Sequence, residues 1–331
     1  MEIIPLLVLN VAILFVMMIP GAILRICNLV SADFGKGLSN LVLYIAQPAL
    51  IVCAYLTYEG ARDIWLNALW VFLLSTVAHL LFTWIALLSF RRADDGKRRM
   101  LRLVTVFSNA AFMGIPLISE VLDNEAVIYA SIYNIPFNMF LWSLGVYFCT
   151  VRRDEDGDGT PDGEIKPQNT FSLKKVLLHP VNLAAVIGIV FLALGWHVHV
   201  PPLVVESLTK LKHLVAPLAM FVIGLRITEI RLTASLNDKY AYLFLGLRHF
   251  LLPGAVALVL WILSLVGLPL GRTVVMVVLL LAATPAATSA TMFAEKYDCD
   301  VPYTGRLVIY STLLSILSMP LFAILAALIA G

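Results

Sequence analysis

Charge is what this chain has least of. Only 13% of its 331 residues are Asp, Glu, Lys or Arg, against roughly a quarter in an ordinary soluble domain. Carboxylates are missing where they would matter most, since all 21 acidic residues fall in loops or near the ends of apolar runs. A broken-helix antiporter that exchanges Na⁺ for H⁺ needs a buried carboxylate at mid-membrane, so that class is disfavoured. Cysteine is sparse as well: Cys27, Cys53, Cys149 and Cys299 show neither CxxC nor metal-ligand spacing, which predicts space-filling thiols and no metal centre. HExxH, GxSxG and Walker A motifs are lacking. The expectation is therefore no enzyme and no cofactor.

What the sequence has in abundance is apolar length. Hydrophobic residues make up 61%, the mean hydropathy is +0.93, and about 20 apolar residues suffice to cross the hydrocarbon. Ten spans are predicted, at approximately 3–26, 38–58, 64–90, 100–122, 126–151, 177–197, 204–226, 240–267, 271–294 and 303–330. The start, "MEIIPLLVLN", has no basic n-region, so it is expected to be the first span and not a removable signal peptide. Eighteen Lys and Arg fall in one set of alternate loops and only Arg62 and Arg272 in the other. The positive-inside bias then predicts both termini outside a plasma (inner) membrane. The net charge of +2 reflects this sidedness, and no nucleic-acid partner is expected.

Two five-span halves, 1–151 and 177–331, joined by a loop at 152–176, must run in opposite senses, so likeness between them predicts an inverted repeat. Pro48 and Pro217 are 169 residues apart, as are Pro116 in "MGIPLIS" and Pro285 in "AATPAAT", and as are His79 and Arg248. Paired Pro/Gly-interrupted segments point to a transporter binding site at mid-membrane. Span four is expected to unwind at Gly114 and Ile115, with Pro116 starting a half-helix; Pro285, after Thr284, does the same in span nine. The free amides of Leu117 and Ile118, and of Ala286 and Ala287, are then expected to face an anion. Arg248 keeps its charge when buried and would pair with the anion's carboxylate or, alternatively, with carbonyls of a broken helix. His79 is the proton-coupling candidate, and Asn109 is a ligand for either the anion or the crossover. One loop, "DEDGDGTPDGE" at 154–164, fits the opening of a calcium loop. Its twelfth position is Ile165 in place of Glu, and a solvated linker is expected.

The segments "SNAAFMGIPLI", "HPVNLAAVIGIVFLALGWHVHVPP", "LVAPLAMFVIGL", "LRHFLLPGAV" and "ATPAATSATMFAEKYDCDVP" resemble, in order and spacing, the auxin efflux carrier family, whose plant members are the PIN auxin exporters. The resemblance implies an all-α, ten-helix, five-plus-five inverted fold with crossovers in spans four and nine. It also implies an elevator transporter: a dimeric scaffold of spans 1, 2, 6 and 7, and a mobile domain of spans 3–5 and 8–10. The substrate is then placed at the crossover beside Asn109, Pro116 and Pro285. Ser108 stands where the plant motif has Pro, and Pro285-Ala286 where it has Pro-Gln; bacterial relatives are associated with dicarboxylates. A carrier of a small organic anion, a mono- or dicarboxylate or an auxin-like weak acid, is expected in the lipid bilayer. A Na⁺- or H⁺-coupled symporter of the same fold and a non-pumping sensor are the alternatives.

Overall fold

The computed structural model describes residues 3–31, 33–60, 64–151, 173–228, 237–268 and 270–331, so the calcium-like run at 154–164 lies outside the described residues. Among these the protein is all-helical. Among the described residues six helices are long and apolar enough to cross a membrane: α1 (Val8–Ile26), α2 (Phe34–Leu56), α3 (Ile64–Ser89), α8 (Pro202–Ile227), α9 (Lys239–Leu265) and α12 (Val301–Ala330). Between them lie α4 (Asp95–Val106), α5 (Ala110–Val121), α6 (Asn124–Phe140), α7 (Pro180–Ala193), α10 (Arg272–Ala283) and α11 (Ser289–Lys296). α6 runs on through Leu141–Gly145 to Val146–Thr150.

Helix α3 shows what solvent this fold is built for. One stripe, Ile64, Ala68, Val71, Ser75, Ala78, His79, Phe82 and Ala86, is buried against the protein. The opposite stripe is exposed, and it consists of Leu66, Leu69, Leu73, Val77, Leu80 and Trp84. A surface helix in water carries polar residues there. A continuous apolar outer face belongs in lipid. Helix α10 lies at the other extreme, with every residue from Val274 to Ala283 buried by packing against α3, α6, α9 and α12.

Prolines shape the helices without ending most of them. Proline lacks an N–H, and its ring collides with the carbonyl four residues earlier. Three of the four widened, π-type turns among the described residues, Val42–Ala46, Ala110–Gly114 and Leu247–Leu251, end two residues before Pro48, Pro116 and Pro253 respectively. The carbonyls that would collide, of Tyr44, Phe112 and His249, all lie inside those turns. The extra residue relieves the clash and the helix continues.

Side-chain polar contacts tie the helix ends. Asp238 accepts from the Tyr240 N–H at 2.9 Å, from the Tyr303 hydroxyl at 2.9 Å and from Lys97 at 3.3 Å, joining the starts of α9 and α12 to α4. Burial pushes its carboxyl up, but these donors prevail and hold it below the usual range. Cys149 and Cys299, unrelated by spacing, are brought together: the Cys299 thiol lies 3.6 Å from the Cys149 carbonyl, which accepts from Arg99 at 2.8 Å.

Candidate functional site

The expected fourth and ninth spans are both interrupted, and the interruptions meet. Phe107, Ser108 and Asn109 separate α4 from α5, while residues 284–288 separate α10 from α11. The Asn109 N–H donates to the Pro285 carbonyl at 2.7 Å, and the Ala287 N–H donates to the Phe107 carbonyl at 2.9 Å. Ser108 and Ala286 thereby face each other as an isolated antiparallel bridge. The two unwound strands satisfy one another's backbone where neither helix can.

This geometry corrects two local expectations. Span four does not unwind at Gly114 and Ile115: Gly114 closes the widened turn, Ile115 and Pro116 continue the helix, and the unwound step lies at Phe107–Asn109. Pro285 does not start a half-helix either. A residue before proline avoids the helical region, so Thr284 is extended at φ −60°, ψ 152° and α10 stops at Ala283, while the next half-helix begins at Ser289. Ala286 and Ala287 consequently do not offer free amides, since the Ala286 N–H donates to Ser311 Oγ at 2.9 Å and Ala287 is bound to Phe107. Leu117 lies within α5, one residue past Pro116.

Gly114 has a packing role. A Cβ there would strike Leu281 Cδ2 and sit 3.4 Å from Thr284 Cγ2. The missing side chain lets α5 lie against the end of α10. Gly114→Ala is expected to lower stability by about 1–3 kcal/mol, the usual cost of overpacking, because the end of the fully buried Leu281 must shift within the core to make room. Thermal melting of the purified variant measures this, and a wild-type melting curve would show that the two helices do not touch here.

Arg248 is wholly buried and makes four hydrogen bonds, all to backbone carbonyls. Its Nε donates to Thr284 O at 3.1 Å, Nη2 to Ala282 O and Thr284 O at 2.7 Å each, and Nη1 to Thr105 O at 3.2 Å. These carbonyls end α10 and α4, where the last turns leave acceptors unpaired and the helix dipoles are negative. The guanidinium also lies 5.7 Å from the Phe82 ring. Of the two partners weighed for Arg248 from sequence, the carbonyls of the broken helices are the ones it contacts.

His79 also lies near Phe82. Phe82, Phe107, Tyr133, Phe137 and Phe140 surround it at ring distances of 5.7–6.3 Å. Its Nδ1 sits 2.7 Å from the Ser75 carbonyl, which fixes a proton on that nitrogen, and Nε2 has no partner. Phe107 belongs to the crossing itself, so the imidazole packs directly against the unwound strand.

Two further buried groups without partners lie where α5 begins. Asn109 Nδ2 and Ser108 Oγ are buried and unbonded. The first-turn amides of α5, at Ala110, Ala111 and Phe112, precede the first bonds back to Asn109 O, made by Met113 and Gly114. Sequence reasoning missed three neighbours. Gln47 Nε2 in α2 donates to the Ala111 carbonyl. Arg226 at the end of α8 donates to Thr288 O at 3.3 Å and Thr291 Oγ1 at 3.4 Å, beside the start of α11. His249 bridges Ser318 Oγ at 2.7 Å and Ser311 Oγ at 2.8 Å. Its signal was the plain "RHF" triplet, in which Arg248 drew the attention.

Apolar spans, two helices broken at a shared crossing and a buried cation clamping them are the features of a membrane transporter. The chain belongs to the membrane transport protein family, the auxin efflux carriers, whose model matches residues 6–323. It is 25% identical over 313 residues to an uncharacterized transporter of Methanothermobacter thermautotrophicus, covering 93% of this chain and 95% of that one. It is 22% identical over 321 residues to an uncharacterized transporter of Methanocaldococcus jannaschii, covering 94% and 96%.

Proposed function

We propose that this protein is a secondary active transporter of a small organic anion, a mono- or dicarboxylate, bound where the two broken helices cross. The observation that carries this is the sorting of charge at the crossing. Arg248 neutralises the negative ends of α4 and α10, whereas at the positive end of α5 the N-cap Asn109 makes no side-chain capping bond, and its Nδ2 and the Ser108 hydroxyl are without partners. Helix N-termini with spare donors favour anions. Arg226 beside the start of α11 adds a full positive charge from α8.

In this proposal the chain crosses the plasma membrane ten times, as two inverted five-span halves with both termini outside, and works as a homodimer. The elevator mechanism follows from the family resemblance: α1, α2, α7 and α8 form the scaffold, and the crossing moves with the remaining helices. Gln47 and Arg226, reaching from the scaffold to Ala111 and Thr288, are among the contacts that such a movement must break. His79 is the proton-coupling candidate, through its unpartnered Nε2.

Thermal-shift screening against mono- and dicarboxylates, then counterflow in proteoliposomes with the best hit, tests the function. Saturable counterflow is expected. Asn109→Ala is expected to cut it at least tenfold while melting stays near wild type, because the side-chain amide has no partner to lose. Undiminished flux in Asn109→Ala would move the site elsewhere.

A further inference from the structure

The carbonyls that hold Arg248 make a recognisable set. Thr105 O, Ala282 O and Thr284 O come from the C-terminal ends of two half-helices, and all three residues and Arg248 are fully buried. In carriers built from broken helices, half-helix C-termini and unwound carbonyls are where a free coupling cation is coordinated. Here that position holds a guanidinium attached to α9.

The position demands a cation. Two helix ends direct their negative poles at it, and the Phe82 ring face lies 5.7 Å from the guanidinium carbon, an arrangement that attracts positive charge. Arginine fills the position permanently, because its pKa keeps it charged and its backbone keeps it in place. The widened turn Leu247–Leu251 ahead of Pro253 positions it, and the adjacent His249 goes to the serines of α12.

We infer that Arg248 is a tethered counter-cation occupying the cation position of the crossing, and that its three carbonyls form a latent site for a small free cation. The carrier then needs no Na⁺ or K⁺ at this position, and the crossing is held in one geometry whether or not substrate is bound. Shortening the side chain opens the site. The inference rests on the crossing's geometry and not on the substrate, so its test reads stability and leaves flux aside.

The experiment compares melting of purified wild type and Arg248→Ala in sodium, choline and methylguanidinium chlorides at equal ionic strength. Wild type is expected to melt at one temperature in sodium and choline. Arg248→Ala is expected to melt several degrees lower in choline, and millimolar methylguanidinium is expected to recover much of the loss saturably. Equal melting of Arg248→Ala in choline and methylguanidinium would overturn the inference, as would a saturable sodium-specific stabilisation of wild type. Should Arg248→Ala not fold, Arg248→Lys and Arg248→Met decide. The ammonium is expected to melt clearly above the thioether of similar length, and the reverse order or equal melting overturns the tethered-cation role.

Discussion

Gly224→Leu is expected to lower stability by about 3 kcal/mol, the upper end of the usual overpacking cost, and to impair transport with it. Helices α1 and α8 touch backbone to backbone. A Cβ on Gly224 would strike the Met18 carbonyl oxygen and lie 2.9 Å from Met18 C and 3.1 Å from Ala22 N. Reciprocally, a Cβ on Gly21 would strike the Phe221 carbonyl oxygen. Small residues permit such close approach between membrane helices, and van der Waals packing is what it gains. At Gly114 the obstacle is a side-chain end; here it is main chain, and only separation of the two helices makes room. Separation has a functional cost, because Arg226 lies two residues beyond Gly224 and reaches Thr288 O and Thr291 Oγ1 from this helix. The control is Gly37→Ala, where a Cβ meets nothing within 4 Å and a change within about 0.5 kcal/mol is expected. Melting of the two variants against wild type settles the matter, and equal melting of all three would mean that α1 and α8 are not packed this closely.

Hydropathy made the membrane class and the approximate helix positions legible, since each long apolar run contains a helix. The two interruptions were legible as well, but for reasons only partly right. Pro285 breaks its span because Thr284 cannot stay helical before it, a local effect visible in the dipeptide. Pro116 leaves its helix intact, because a widened turn at Ala110–Gly114 absorbs the clash. The true break at Phe107–Asn109 contains neither glycine nor proline. It exists because Phe107 O and Asn109 N–H pair with Ala287 N–H and Pro285 O, partners more than 170 residues away in sequence. No local pattern carries that information. Arg248 was legible as the buried cation, and the carbonyl partners it was weighed against proved to be its contacts. Its neighbour His249 was not, since consecutive residues on a helix point to different sides and a ligand search follows one of them. Cys149 and Cys299 likewise meet only through the fold.

His249→Leu is expected to cost about 2–6 kcal/mol, because two buried hydroxyls each lose the imidazole as a partner, at about 1–3 kcal/mol each. Ser311 and Ser318 are 0% and 2% exposed, so water does not replace the imidazole as their partner. The Ala286 N–H donates to Ser311 Oγ at 2.9 Å, and one proton order that satisfies every group continues from the Ser311 hydroxyl to His249 Nε2 and from Nδ1–H to Ser318 Oγ. The chain anchors residue 286 of the crossing to α9 and α12 at once. Ser311→Ala is expected to cost about 1–3 kcal/mol by orphaning the Ala286 amide, and to loosen the strand that pairs with Ser108. Because both substitutions dismantle one network, the double variant should be less destabilised than the two single losses added, by about 0.5–3 kcal/mol. Denaturation of the four proteins measures that coupling directly. Strict additivity would show that His249 and Ser311 act independently, and the crossing would then owe its position to Arg248 and its own strand pairing alone.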